Sequence, residues 1–297
     1  MGRRRKGNFN YLEHYTYFVP GVRELVILLL WFVVGSLLGN VVTVVFQILL
    51  GSGAAVEYGT VVAYPLMFIP PMIYASFKSR SLCLVRRGVR LDSSNFAPLG
   101  GALCALLAAV GTVALSYCTD SLSLLLPKMP EWLKDALDSM TSGNLWVNLL
   151  CVSIFAPLFE EWLCRGMVLR GLLGNGIRPV WAIVISAAFF ALIHLNLWQA
   201  LPAFLLGCLF AYVYYKTGSL RLTMLMHCVN NTLALVMSRI PSLEEFETFR
   251  DLLTGPEYFI ILGCCVVATA LVVISFRRIP LKSTSGNADS VPALFER

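Results

Sequence analysis

The sequence predicts an all-α, polytopic integral membrane protein with about eight transmembrane helices. Hydrophobic residues make up 58% of the 297 residues and charged residues only 13%, whereas soluble domains average about 25% charged residues. The mean hydropathy of +0.74 points the same way. The apolar residues also fall into long runs, and a spanning helix needs about 20 largely apolar residues. These observations exclude an ordinary soluble domain.

Each predicted helix rests on one such apolar run. The fifth run is short, whereas the first and fourth are long enough to tilt or to protrude from the bilayer. Gly35 and Gly39 in the first run have small-xxx-small spacing, which either serves a close helix contact or arises by chance. In chain order the runs are 22–50, 59–77, 98–118, 145–173, 180–195, 198–215, 220–237 and 258–276.

The basic residues orient these runs. All Lys and Arg residues except Lys128, Lys134, Arg239 and Arg250 fall on the side of the two termini. The positive-inside rule therefore predicts cytoplasmic termini, and we expect the plasma (inner) membrane. The net charge of +6 does not indicate nucleic-acid binding, because the basic residues lie between apolar runs rather than on one patch.

The predicted membrane boundaries divide the chain. Segment 122–140, between the third and fourth runs, is either an interfacial amphipathic helix or a solvated loop. The regions are a cytoplasmic segment 1–21, helices one to three with an external loop 22–144, a four-helix core 145–237, an external loop 238–257, helix eight 258–276 and a cytoplasmic tail 277–297.

Two carboxylates are the unusual feature of the core. Of the 17 acidic residues, only Glu160 and Glu161 lie in the interior of a predicted span, since Glu24 lies at the terminus-side end of the first. A carboxylate in the bilayer costs about 2.5–3.5 kcal/mol on insertion scales, so this pair is a candidate functional site. Adjacent helical residues point about 100° apart, so the two carboxylates have different roles.

Glu161 has a partner on its own helix, whereas Glu160 has none there. Glu161 and Arg165 are i,i+4 neighbours and are expected to form an ion pair. Glu160 then faces another helix or a cavity, where it can take up a proton as a general base. The alternative is a structural Glu161–Arg165 pair, with Glu160 stabilising helix contacts only.

Two histidines join the carboxylates in the predicted membrane helices. His194 follows the turn at 174–179, and Ile177 lies midway in the sequence between Glu160 and His194. In an antiparallel hairpin with equal rise on both arms, Glu160 and His194 come level. His227 and Asn231 share a face of the seventh run, where they offer two donors to an oxyanion or form a polar seam between helices.

Three motifs in this order resemble the CPBP family, which comprises CAAX prenyl protease type II-like and bacteriocin-processing (Abi) membrane proteins. They are EExxxR at 160–165, FxxxH at 190–194 and HxxxN at 227–231. The resemblance implies an intramembrane endopeptidase that uses a glutamate-activated water. The roles it implies are water activation by Glu160 with His194, support of the site by Glu161 with Arg165, and oxyanion binding by His227 with Asn231.

The nearest rival chemistry is that of a zinc peptidase. Glu160, His194 and His227 could supply three ligands and leave a position for water. The HExxH motif is absent, and the two histidines lie on different predicted helices. We therefore expect no cofactor, with zinc as the alternative.

Other classes stay open at this point. A thiol peptidase would use Cys164 or Cys228, but the nine cysteines are more simply explained as small apolar residues of buried helices. A non-catalytic membrane scaffold, immunity or sensor protein would keep the same residues as a polar core. A transporter would use Glu160 and His194 as a proton relay, although no internal repeat is evident. The expected partners are the lipid bilayer and a peptide or membrane-protein substrate of unspecified identity.

Overall fold

The computed structural model describes residues 11–141, 143–240, 248–253 and 255–281, without the side chains of 52–57, 123 and 139–141. Within these ranges every regular element is helical, which confirms the all-α class. A 3-10 turn, Tyr11–Tyr15, comes before the first helix. The helices are α1 (Val22–Leu50), α2 (Ser52–Leu82), α3 (Gly101–Ser123), α4 (Glu131–Thr141), α5 (Leu145–Gly174), α6 (Pro179–Leu192), α7 (Leu197–Thr217), α8 (Leu220–Met237), α9 (Phe249–Leu252) and α10 (Pro256–Arg277).

All eight predicted runs form helices, but not all meet the criteria for a membrane span. Six of these helices in the described ranges are long and apolar enough, namely α1, α2, α3, α5, α7 and α10. Helix α6 has 14 residues and is therefore about 21 Å long, short of the roughly 30 Å hydrocarbon core. Helix α8 has 18 residues and carries His227, Asn230 and Asn231 among its apolar side chains. The polytopic membrane class is confirmed, whereas the count of eight spans stays a prediction.

The loops gather at two opposite ends of the bundle. At one end, backbone and side-chain hydrogen bonds join segments predicted to be cytoplasmic: Val89 to Thr16, Ser93 to Gly218, Asn95 to Pro280, and Asn175 to Pro20. At the other end lie loops predicted to be external, joined by bonds from Trp198 to Pro127, from Arg239 to Gly143 and from Phe249 to Asp120. Each group of loops thus lies on one side of the bundle.

Helices α1 and α2 form a tight hairpin. They meet at Gly51, whose φ of 80° suits glycine. A Cβ at Gly35 would collide with the backbone carbonyl of Met67, and one at Gly39 would lie 3.0 Å from the carbonyl oxygen of Ala63. The small residues of α1 therefore serve a close helix contact.

Helix α5, which carries both carboxylates, is not a regular α-helix. Its central α-helical part, Ala156–Glu161, lies between two π-helical stretches, Leu149–Phe155 and Trp162–Leu169, and short α-helical segments form its two ends. The N–H of Ala156 bonds to the carbonyl of Cys151, five residues back. Pro157 has no N–H to donate, which helps to disrupt the i→i−4 pattern here. Such widened turns occur frequently at functional sites.

The connection before α5 contains the amphipathic helix α4. It begins at Glu131, and Trp132 is largely exposed. Nε1 of Trp198 at the start of α7 donates to the carbonyl of Pro127, 2.9 Å away. The helical alternative for segment 122–140 is therefore correct from Glu131 onward.

Arg170 anchors two distant segments at the end of α5. Its side chain is fully buried, and it donates to the carbonyls of Gly166, Val89, Tyr15 and Phe18. The segment before α1 and the loop after α2 are thereby tied to the same helix. In the sequence, Arg170 is only one of the many basic residues predicted to lie on the side of the two termini.

Candidate active site

The predicted site residues lie on three neighbouring elements of the bundle. Glu160 and Glu161 end the α-helical part of α5, and His227 lies in the middle of α8. His194 comes two residues after the end of α6, and Asn231 lies one turn beyond His227.

Glu161 is the centre of a buried charged cluster. Nη1 of Arg165 donates to Oε1 of Glu161 at 2.8 Å, and both side chains are fully buried. Nδ1 of His227 lies 3.1 Å from the same oxygen. Nη2 of Arg165 donates to the carbonyl of Gly207 on α7 at 3.0 Å. Since a buried charge is tolerated only when it is paired and hydrogen-bonded, this cluster holds α5, α7 and α8 together.

Aromatic rings enclose Arg165. Its guanidinium lies 4.7 Å from the ring centre of Phe190 and 5.5 Å from that of Phe210. A cation over a ring face gains cation–π attraction, and these rings also exclude water from the cluster.

Glu160 has a different environment, and its two oxygens differ from each other. Oε1 accepts a hydrogen bond from the hydroxyl of Tyr64 on α2. Oε2 is buried, has no hydrogen-bond partner among the described residues, and lies 3.9 Å from Nε2 of His227. Glu160 and Glu161 thus lie at opposite edges of the His227 ring.

The hydrogen bonds decide which nitrogen of each histidine carries the proton. A carboxylate only accepts, so Nδ1 of His227 donates to Glu161. A neutral His227 then presents the lone pair of Nε2 toward Glu160, and only the protonated ring donates there. Nδ1 of His194 likewise donates to the carbonyl of Phe190 at 2.8 Å, which leaves Nε2 of the neutral ring as an acceptor.

His194 lies beside this cluster without a direct polar contact to Glu160. The ring of Phe190 separates the two histidines, with its centre 5.1 Å from the ring centre of His194 and 5.3 Å from that of His227. Within the described part of the chain, no hydrogen bond or ion pair joins His194 to Glu160.

Asn231 is held by a chain of polar side chains. Nδ2 of Asn231 donates to the carbonyl of Val152 on α5 at 2.9 Å, and its Oδ1 accepts from Nδ2 of Asn230 at 3.1 Å. Oδ1 of Asn230 in turn accepts from Ser116 on α3 at 2.7 Å. Asn230 therefore contacts Asn231 although the two residues are adjacent on the helix and start about 100° apart.

The sequence did not indicate three neighbours of the site, namely Tyr64, Ser116 and Asn230. Tyr64 precedes Glu160 by 96 residues and lies in an apolar run with no motif around it. It also lies outside the predicted core 145–237, so the site extends into α2. The one available signal was a polar hydroxyl within a predicted span.

The positions of the candidate metal ligands and thiols are relevant to the zinc-peptidase and thiol-peptidase alternatives. In the ranges that the structure describes, no three His, Cys, Asp or Glu side chains converge as metal ligands. Cys164 is fully buried, and Sγ of Cys228 lies 3.8 Å from Oγ1 of Thr232. Neither thiol has a histidine hydrogen-bonded to it in the described chain.

Residues 142–233 match the Rce1-like family model, described as type II CAAX prenyl endopeptidase. The matched segment contains all three sequence motifs, which confirms the family resemblance and indicates a protease. No curated protein and no solved structure matches the chain.

Proposed function

We propose that this membrane protein, whose residues 142–233 match the type II CAAX prenyl endopeptidase family, is an intramembrane glutamic endopeptidase. It hydrolyses a peptide bond in a membrane-associated or lipidated protein or peptide, with a water activated by Glu160. One observation carries the proposal: Oε2 of Glu160 is buried and unpartnered among the described residues, and it faces Nε2 of His227 at 3.9 Å.

The spacing of these two atoms suits a bound water. A water that bridges them would lie about 2.8 Å from each atom, within ordinary hydrogen-bond distance, and it reaches the buried Oε2 when neighbouring side chains move aside. As its oxygen bonds to the peptide carbonyl carbon, it gives a proton to Oε2 of Glu160, and the carbonyl π electrons become the oxyanion. When the intermediate collapses, the C–N bond breaks and Glu160 returns the proton to the leaving amine.

Three other residues complete the proposed mechanism. His227 orients the water and, when protonated, donates to the oxyanion together with Asn231. The second N–H of the Asn231 amide remains for this purpose, since one bonds to Val152. Nε2 of His194 accepts a hydrogen bond from water or from the substrate. Glu161 and Arg165 support the site by fixing the ring of His227.

The proposed reaction needs no metal. Arg165 already supplies a positive charge next to Glu161, and Tyr64 donates to Glu160, so neither carboxylate depends on a cation for a partner. A zinc peptidase stays the alternative, and a non-catalytic immunity or scaffold protein is the alternative outside enzymes.

Glu160→Gln tests the proposal. The change keeps the shape of the side chain and removes proton uptake, so cleavage should fall by at least 10²-fold, the order of a lost general base. The assay uses purified protein in detergent with three internally quenched peptides: one ending in a farnesylated Cys-aliphatic-aliphatic-X sequence, the same peptide without the farnesyl group, and a hydrophobic transmembrane peptide.

Glu131→Gln, on the exposed face of α4, is the matched control and should cleave at the wild-type rate. Retained cleavage in a folded Glu160→Gln variant would contradict the glutamate mechanism. Stoichiometric zinc in the same preparations, lost in His194→Ala and needed for activity, would favour the metallopeptidase instead. A wild-type protein that cleaves none of the peptides would favour the scaffold.

A further inference from the structure

Tyr64 contacts the proposed general base from outside the matched family segment. Its hydroxyl donates to Oε1 of Glu160, and α2 is the helix that brings it there. On the basis of the proposed function, we infer that Tyr64 is a positioning residue. By occupying Oε1, it makes Oε2 the basic oxygen and holds that oxygen toward Nε2 of His227.

A second contact next to this hydrogen bond aligns the two helices. Phe159, the neighbour of Glu160, stacks on Phe68 of α2 with ring centres 5.2 Å apart and an interplanar angle of 14°. Phe68 lies one turn beyond Tyr64, and the two rings are 5.7 Å apart. Two adjacent residues of α5 thus contact two residues on one face of α2.

Helix α2 is itself held in register by α1. Met67 and Ala63 flank Tyr64 in the sequence, and their carbonyls pack against Gly35 and Gly39 without room for a side chain. Phe32 of α1 lies 5.2 Å from Phe68. A slide of α2 along α1 would break these contacts, so the Tyr64 hydroxyl has a fixed position.

This fixed donor matters because a free glutamate side chain has many rotamers. Without the hydrogen bond, either oxygen of Glu160 can face the substrate, and the side chain can rotate away from His227. A misplacement of about 1 Å costs on the order of 10²-fold in rate. Binding of the substrate does not depend on Oε1, so the loss should fall on kcat rather than on KM.

Tyr64→Phe tests the inference, with Tyr58→Phe as the matched control. Tyr58 lies on the same helix and is largely exposed. With the most rapidly cleaved of the three peptides, Tyr64→Phe should lower kcat about 10- to 100-fold and leave KM within twofold. Its melting temperature in detergent should fall modestly, because the Glu160 carboxylate loses its hydrogen-bond donor, while the protein should stay folded at the assay temperature. Tyr58→Phe should leave kcat and KM unchanged.

Two unnatural residues at position 64 separate positioning from packing. 4-Aminophenylalanine restores a donor at the ring position of the hydroxyl, whereas 4-methylphenylalanine restores only the volume. Recovery of kcat by the amino group and not by the methyl group supports the inference. The comparison of these two unnatural residues tests the positioning role of Tyr64 even where Tyr64→Phe does not fold.

The outcomes distinguish the inference from the function on which it rests. Two results would overturn the inference alone. In the first, Glu160→Gln is inactive but the kcat of Tyr64→Phe is within twofold of wild type. In the second, the proteins with 4-aminophenylalanine and 4-methylphenylalanine at position 64 are equally active. An active Glu160→Gln, or a wild-type protein that cleaves none of the peptides, would overturn both.

Discussion

At the scale of single residues, the neighbouring carboxylates are distinguished by their partners. One oxygen of Glu161 accepts hydrogen bonds from both Arg165 and His227. Glu160 instead accepts a hydrogen bond from the neutral hydroxyl of Tyr64 and lies near the imidazole of His227. Glu161 is thus paired with two side chains, whereas Oε2 of Glu160 has no hydrogen-bond partner among the described residues. The two neighbouring carboxylates have different surroundings because the helix turns about 100° between them.

Glu161→Gln should therefore act mainly on stability. The amide leaves the fully buried Arg165 without a negative charge, and breaking a buried pair costs about 3–5 kcal/mol. The melting temperature in detergent should fall clearly, while kcat falls less than in Glu160→Gln because Gln still accepts a hydrogen bond from His227. Glu131→Gln is again the control. An unchanged melting temperature would show that the pair does not stabilise the fold.

At the scale of the helices, the site depends on a hairpin that carries none of the three motifs. Helix α1 contributes no side chain to the site, but its glycines set the position of α2 and hence of Tyr64. Close packing of small residues here sets the position of Tyr64, whose hydroxyl donates to Glu160 on α5.

Gly35→Ala tests this dependence. The new Cβ meets the carbonyl of Met67, and overpacking of this kind costs about 1–3 kcal/mol. We expect a lower melting temperature and slower peptide cleavage, because α2 moves away from α5. Gly263→Ala on α10 is the matched control, since its Cβ meets nothing within 4 Å, and it should be neutral or slightly stabilising. Equal stability of the two variants would refute the close-packing argument.

At the scale of the whole molecule, the hydrogen bonds between loops sort the connections into two groups. One end of the bundle contains the loop residues near 16–20, 89–95, 175, 218 and 280. The other end contains the loop residues near 120, 127, 143, 198, 239 and 249. This grouping coincides with the division that the basic residues predict. Which end of the bundle faces the cytoplasm stays a prediction from the positive-inside rule.

Reporter fusions test that orientation. Fusions after Arg87 and Arg178 should report a cytoplasmic location, and a fusion after Asp135 should report an external one. Alkaline phosphatase and a fluorescent protein, which are active on opposite sides, provide mutually controlling readouts. The same signal at Arg178 and Asp135 would contradict the predicted topology.

Much of this structure could be predicted from local patterns in the sequence. Hydropathy and i,i+4 spacing, which a single sequence displays, predict the helix positions, the turn near Ile177 and the Glu161–Arg165 contact. Other contacts depend on how different helices pack, which the spacing within one helix does not encode. They are the hydrogen bond from Tyr64 to Glu160, the hydrogen bonds from Ser116 through Asn230 to Asn231, and the placement of His227 between two carboxylates. The π-helical stretches of α5 also shift the helical phase, so a regular helical wheel misplaces residues across them.

The burial of Arg170 has a consequence for the order in which the protein is made. The carbonyls of Tyr15, Phe18 and Val89 leave the ribosome before the guanidinium that binds them. The first hairpin is therefore synthesised before the donor of these hydrogen bonds, and its connections at this end of the bundle can bind to α5 only after α5 has been synthesised. A chain that terminates before residue 170 keeps the hairpin but lacks the donor for these carbonyls. Such a fragment should be recognised by quality-control proteases at segments that the full-length protein conceals.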